Sequence, residues 1–276
     1  MSRKIDTAFG RMPLWKWILT FVSAFLFFIL FYGIAQVFQN VSQRTGVNCA
    51  VLVISAGVLV LLYGCFTKLS EKEWFKTISG TGSARSLGMG FLTGVLYFVV
   101  VTGIMWITGI YKVESVEFDY AGLLLYLSIF LVVAVGEEII FRGVIFKMID
   151  ERWSTWLALL VSALLFGLVH LSNQGATLWS SIAIAIEAGL MLGAAYKASG
   201  SLWFPIGIHW AWNYFEGPVF GFMVSGNDSC TPLFSPVISG PEFLTGGAFG
   251  AEASIIAAAV GLAFSLLFVR RMLSKK

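Results

Sequence analysis

Long apolar stretches alternate along this chain with short polar connections. About 20 consecutive apolar residues carry a helix across the hydrocarbon core of a bilayer. Eight stretches qualify: Trp17–Phe38, Cys49–Phe66, Leu87–Ile107, Leu123–Phe146, Trp156–Leu171, Leu178–Ala198, Leu202–Val224 and Ile255–Val269. The pattern predicts an all-α, polytopic membrane protein with about eight transmembrane helices in a single membrane domain, residues 1–276. The first stretch is longer than the apolar core of a cleavable signal peptide and no A-x-A site follows it, so it is expected to remain as an anchor. The longest connection, 225–254, is rich in Gly, Pro and Ser and includes SGPEFLTGGAFGAE. It predicts a long extracytoplasmic loop in which Asp228, Glu242 and Glu252 are solvated acids.

Lys and Arg near helix ends set membrane orientation. Here they collect at Arg3, Lys4, Arg11 and Lys16, at Lys68, Lys72, Lys76 and Arg85, at Lys147 and Arg152, and at Arg270, Arg271, Lys275 and Lys276. An eight-pass path puts all four clusters on one side, which predicts that both termini are cytoplasmic. With 58% hydrophobic and 12% charged residues and a mean hydropathy of +0.86, the chain is not a soluble domain with one core. A net charge of +3 is too small to suggest nucleic acid, so lipid is the expected surrounding partner. Cys49, Cys65 and Cys230 have neither zinc-site spacing nor the density of a disulfide scaffold, and are read as small apolar fillers. Asn40-Val41-Ser42 and Asn227-Asp228-Ser229 match the glycosylation sequon on the predicted outer side, which matters only where the source glycosylates.

Three motifs break the apolar pattern with reactive groups. The first is GEEIIFRG, and ionisable groups inside a span are expensive enough to be functional by default. Glu138 and Arg142, four residues apart, share a helix face and can neutralise each other, whereas Glu137 is turned by about 100° and left as the candidate base. The alternative is one structural ion network of all three. The second motif is FGLVHL, with Phe166 and His170 on one face; the third is HWAWN, with His209 and Asn213 on one face. These are the chain's two histidines, and both fall inside spans. The polar run from Asp150 to Thr155 supplies a turn and an N-cap, and a hairpin centred on Trp153 and Ser154 brings Glu137 level with His170. Both then lie about 24 Å from the turn, but His209 only about 12 Å from Ser201, a mismatch that protrusion of the charged hairpin tip would relieve. Glu187 and Glu216 lie in the sixth and seventh spans; Glu216 falls nearly on the face of His209, and Glu187 could instead pair with a hydroxyl or with Lys197. The aromatic group Trp203, Phe204, Trp210, Trp212, Tyr214 and Phe215 suits helix packing or an interfacial belt, or else the wall of a substrate channel.

Together EExxxR, FxxxH and HxxxN, within residues 120–220, resemble the CAAX protease and bacteriocin-processing membrane protease family, also called the abortive-infection family. The resemblance implies an intramembrane endopeptidase whose site opens toward the cytosol and laterally toward lipid. It implies that Glu137 activates a water with help from His170, that His209 and Asn213 stabilise the tetrahedral oxyanion, and that Glu138 and Arg142, with Phe166, support the site. No cofactor is expected on that route. The competing route is a zinc site of His170, His209 and Glu137, which leaves a fourth position for water, although HExxH is absent. Implied substrates are membrane-associated peptides, either prenylated C-terminal tails or leader peptides, and the implied location is the plasma (inner) membrane of a bacterium. A proton-coupled transporter and a noncatalytic immunity or scaffolding protein remain as alternatives from other classes.

Overall fold

A computed structural model of the protein describes residues 7–37, 41–72 and 83–274. Arg3, Lys4, Lys76, Lys275 and Lys276 of the basic clusters, Phe38 at the end of the first predicted span, and Asn40 of one sequon lie outside the described residues.

Among the described residues seven helices are long and apolar enough to cross a membrane: α1 (Leu14–Val37), α2 (Thr45–Glu71), α3 (Ser83–Ile107), α4 (Tyr120–Arg152), α5 (Thr155–Ser172), α6 (Leu178–Ser199) and α8 (Ile255–Ser274). The remaining expected span, Leu202–Val224, is shorter than its apolar pattern suggested. It is a 12-residue α-helix, α7 (Trp203–Tyr214), continued by a wide π-helical turn over Phe215–Val219 with Pro218 inside it. Beyond Val219 the chain departs from helix, so apolarity there reflects burial against the loop that follows and not a further helical turn.

Leu19, Leu61, Leu92, Leu164 and Leu266 are each more than half exposed, as apolar side chains facing lipid must be. Without a hydrophobic drive between helices in lipid, close approach depends on small residues. The pair Gly90 and Gly94 on α3 meets Gly207 on α7 in this way. A Cβ at Gly94 would fall 2.3 Å from the Ile208 carbonyl oxygen, so only glycine permits the contact.

The chain ends its passes at two poles. At one, Lys147 pairs with Glu71 at 2.7 Å, Arg152 donates to the Met12 carbonyl at 2.6 Å, and Lys197 pairs with Asp150 at 2.5 Å. The α4–α5 hairpin turns at Trp153 and Ser154, and the Ser154 hydroxyl caps α5 by accepting from the Leu157 amide at 3.1 Å. At the opposite pole the 225–254 connection is structured, contrary to the simple loop that its composition suggested. Its strand β2 (Phe234–Ile238) pairs antiparallel with β1 (Tyr111–Val116), from Tyr111↔Ile238 to Val116↔Phe234, with an irregularity between Val113 and Ser115.

Three stretches widen into π-helix: Ile139–Phe146 in α4, which carries Arg142, Ala185–Leu190 in α6, and Phe215–Val219 directly after the His209–Asn213 motif of α7. Such segments are rare and concentrate at functional sites. A wider turn advances less per residue, which shortens the path from Glu137 to the hairpin and eases the depth mismatch with His209.

Candidate active site

Glu137, Glu138 and Arg142 enter from α4, Phe166 and His170 from α5, and His209 and Asn213 from α7. All seven converge. Glu138 and Arg142 have no solvent exposure, and Glu138 Oε1 accepts from Arg142 Nη1 at 2.7 Å. Arg142 Nη2 donates to the Ala188 and Gly189 carbonyls at 3.0 Å each, groups that the π-helical stretch of α6 turns toward the guanidinium. Phe166 fills the centre of the cluster. The guanidinium carbon lies 4.6 Å from the centre of its ring, the His170 ring 4.8 Å and the His209 ring 6.0 Å.

The two imidazoles are held differently. His170 Nδ1 lies 2.7 Å from the Phe166 carbonyl, an atom that only accepts, so Nδ1 carries the proton and Nε2 is left to the cavity. His209 Nδ1 lies 3.0 Å from Glu138 Oε1, and its Nε2 is 3.9 Å from Glu137 Oε2. The division between the two glutamates expected from their 100° offset is therefore present: Glu138 is locked in an ion pair, and Glu137 faces open space. Glu137 Oε1 accepts from Tyr32 on α1 at 3.2 Å, while Oε2 is buried with no hydrogen-bond partner.

Glu137, Phe166, His170, His209 and Asn213 line a cavity of about 460 Å³, together with Tyr32, Trp212, Asn227, Asp228 and Glu252. Two contributors escaped the sequence. Tyr32 lies in the first span, remote from every motif; its ring fits because residue 136 is glycine, where a Cβ would come within 2.3 Å of it. Glu252 is not the solvated loop acid expected. It is 3% exposed and stands in the cavity wall, because the 225–254 connection folds back over the site. Burial raises its pKa, with a Ser225 hydrogen bond and the nearby His170 pulling the other way. Glu216 accepts from the Glu252 amide and from the Trp212 indole, both at 3.2 Å, and so fastens this loop to α7. Glu187 meets a hydroxyl, that of Tyr97 at 2.8 Å, and not Lys197, which pairs with Asp150. Of the aromatic group, Trp212 lines the cavity, whereas Phe204, Trp210 and Phe215 pack on Phe268 and Phe91. Cys65, expected as a filler, is exposed on α2.

Among the described residues no group of three His, Cys, Asp or Glu side chains is placed to hold a metal ion. His170 and His209 each engage Nδ1, which leaves Nε2 as the second nitrogen of each ring, that of His209 3.9 Å from Glu137 Oε2.

The cavity opens at the pole formed by the ends of α5 and α7 and the 225–254 connection, since Asn173, Ser225, Asn227 and Asp228 border it. The basic clusters lie at the other pole. The basic clusters, expected in the cytoplasm from the sequence, and the cavity mouth, which the family resemblance implies opens to the cytosol, therefore lie at opposite poles.

Fold and site define a multi-pass membrane protein with a polar, carboxylate- and imidazole-bearing cavity inside its helix bundle. Residues 119–215 match the family described as type II CAAX prenyl endopeptidase Rce1-like, which bears out the resemblance carried by the three motifs. An Escherichia coli protein described as an uncharacterized 24.3 kDa protein is 26% identical over 163 residues, covering 54% of this chain and 72% of its own length.

Proposed function

We propose that the protein is an intramembrane endopeptidase that hydrolyses a membrane-associated peptide with a glutamate-activated water and no metal. The observation that carries this reading is Glu137 Oε2, a buried carboxylate oxygen without a hydrogen-bond partner, 3.9 Å from His209 Nε2, on a carboxylate that lines a polar cavity with two imidazoles. A polar space of this size holds water.

Glu137 takes a proton as the water oxygen bonds to the scissile carbonyl carbon, and His170 Nε2 orients the water by accepting its other hydrogen. Tyr32 aims the carboxylate through its bond to Oε1. The carbonyl π electrons move onto oxygen, where His209 Nε2 and the Asn213 amide donate to the oxyanion. Because His209 Nδ1 faces the Glu138 carboxylate, donation from Nε2 requires both ring protons, and the two glutamates supply the compensating charge. Collapse breaks the C–N bond and the proton on Glu137 passes to the leaving amine. General base catalysis contributes typically about 10²–10⁴-fold and each oxyanion donor about 10²–10³-fold. A bacterial plasma membrane is the setting that this reading implies.

The test is hydrolysis of a peptide panel by the purified protein in detergent, with and without a chelator. Wild type cleaves in both conditions, and Glu137→Gln loses at least about 100-fold. Inhibition by the chelator that zinc restores would replace this mechanism with the metal one. Full activity in Glu137→Gln would remove the assignment of the base.

A further inference from the structure

We infer that the cleft where the start of α3 meets the end of α8 binds one anionic phospholipid, its phosphate between Arg85 and Arg271 and an acyl chain on Met89, Phe204 and Phe268. The site is separate from the cavity of the three motifs and does not rest on the endopeptidase reading.

The cleft has a volume of about 550 Å³ and lies at the basic pole, beside Ser199 at the end of α6. Its walls are Arg85, Ser86 and Met89 of α3, Phe204 of α7, and Phe268 and Arg271 of α8. Glycine contacts fix two of these walls. A Cβ at Gly90 would fall 2.1 Å from the Phe204 carbonyl oxygen and one at Gly207 2.3 Å from that of Leu87, so the start of α7 lies backbone to backbone against the first turns of α3. The Phe204 ring then meets Phe268 edge-on at 5.7 Å, which ties α7 to α8. The floor is therefore rigid and aromatic.

Two helices repeat one arrangement around this floor. Met89 follows Arg85 by four residues and Phe268 precedes Arg271 by three, so on each helix the arginine and the apolar side chain share a face, with the arginine about 4.5–6 Å nearer the pole. Charge outside and apolar surface one turn deeper is the order of a phospholipid, phosphate above acyl chain. Both arginines are exposed, and Met89 is 52% exposed, which leaves the cleft open to surrounding lipid. No Asp or Glu lines it among the described residues. Two guanidiniums turned to one space repel each other unless an anion lies between them, and a phosphate accepts from both. A zwitterionic head group would bring an ammonium to a wall without a carboxylate, and a soluble anion would leave Met89 and the rings uncovered. Basic pockets between membrane helices take the head groups of anionic lipids for this reason.

Thermal unfolding of the full-length protein in a neutral detergent, with phosphatidylglycerol, phosphatidylcholine or inorganic phosphate added, tests the site. A ligand that binds only the folded chain raises Tm with its concentration, so the concentration needed for a given rise reports affinity. Phosphatidylglycerol should raise Tm and the other two should not. Each arginine contributes about fivefold to affinity, so Arg85→Gln and Arg271→Gln should each need about fivefold more phosphatidylglycerol for the same rise, and the double variant about 25-fold more. Met89→Asn, which leaves the charge intact, should also need about fivefold more. Lys16→Gln removes a charge at the same pole outside the cleft and should change nothing. An equal rise with phosphatidylcholine overturns the inference, as does a rise with inorganic phosphate alone, which marks a soluble-anion site. A loss in Lys16→Gln equal to that in Arg85→Gln would mean diffuse attraction to the pole and overturns it too. An unchanged Met89→Asn removes the acyl chain from the cleft. If an arginine variant does not fold, native mass spectrometry of the wild type decides: retention of one phosphatidylglycerol per chain in preference to phosphatidylcholine upholds the site, and equal retention overturns it.

Discussion

Arg142→Met should be among the most destabilising single changes in this protein, and the reason is a buried charge, not lost packing volume. Arg142 has no solvent exposure and donates to Glu138 at 2.7 Å and to the Ala188 and Gly189 carbonyls at 3.0 Å each. Removing one partner of a buried ion pair leaves the other charge uncompensated, at about 3–5 kcal/mol. His209 Nδ1 at 3.0 Å from the same Glu138 oxygen offsets part of that, which places the loss near the lower end, about 3 kcal/mol. The two carbonyls of α6 also lose their donor. The double variant Glu138→Gln with Arg142→Met carries no stranded charge, so it should be more stable than Arg142→Met alone, although His209 loses its carboxylate. Urea or thermal unfolding of the detergent-solubilised protein measures both, and 3 kcal/mol corresponds to roughly a 100-fold change in the unfolding constant. If Arg142→Met lies within about 1 kcal/mol of wild type, or if the double variant loses the sum of the two single losses, the ion pair is not what holds α4 to α6.

Asn213→Ala should keep the fold and lower kcat by about 10²–10³-fold with little change in KM, because its amide acts on charge that exists only in the transition state; a rise in KM alone would count against that role. Gly136→Ala should cost about 1–3 kcal/mol in unfolding assays and slow hydrolysis, since the new methyl overlaps the Tyr32 ring at 2.3 Å and displaces its hydroxyl from Glu137. Tyr32→Leu should slow hydrolysis by itself, and wild-type rates in it would show that the hydroxyl does not position the base. The Glu252 carboxyl, raised by burial, binds its proton more tightly folded than unfolded. Its stabilising contribution is therefore complete below the unfolded carboxyl range and is lost as pH rises through the folded value. Glu252→Gln should accordingly be more stable than wild type at pH 8 and indistinguishable from it near pH 3, and a pH-independent difference would contradict the shift.

Much of the helix inventory was legible along the chain because a bilayer imposes a length and a composition on each pass, and both are local properties. The spacing of Glu138 and Arg142 already implied their pairing, since residues four apart on a helix are neighbours in any fold. The same logic placed Ser154 as a cap. Where the pattern misled, at Leu202–Val224, apolar side chains served a wide turn and a buried loop as readily as a helix, because hydropathy reports burial and not backbone form.

What the order of residues determined by itself was the class of protein, its helical passes and the three groups of reactive side chains that the passes carry. Only the tertiary structure decided which surfaces those groups share. Tyr32 reached Glu137 from a helix about a hundred residues earlier, Glu252 turned from a loop acid into cavity wall, and the mouth came to lie at the pole away from the basic clusters. The physical reason is that insertion into lipid is governed by each segment's own transfer energy. The placement of Tyr32 and Glu252 instead depends on small-residue contacts, such as Gly136 under Tyr32, and on hydrogen bonds between distant segments, such as Glu216 with the Glu252 amide, and these exist only once the helices have packed.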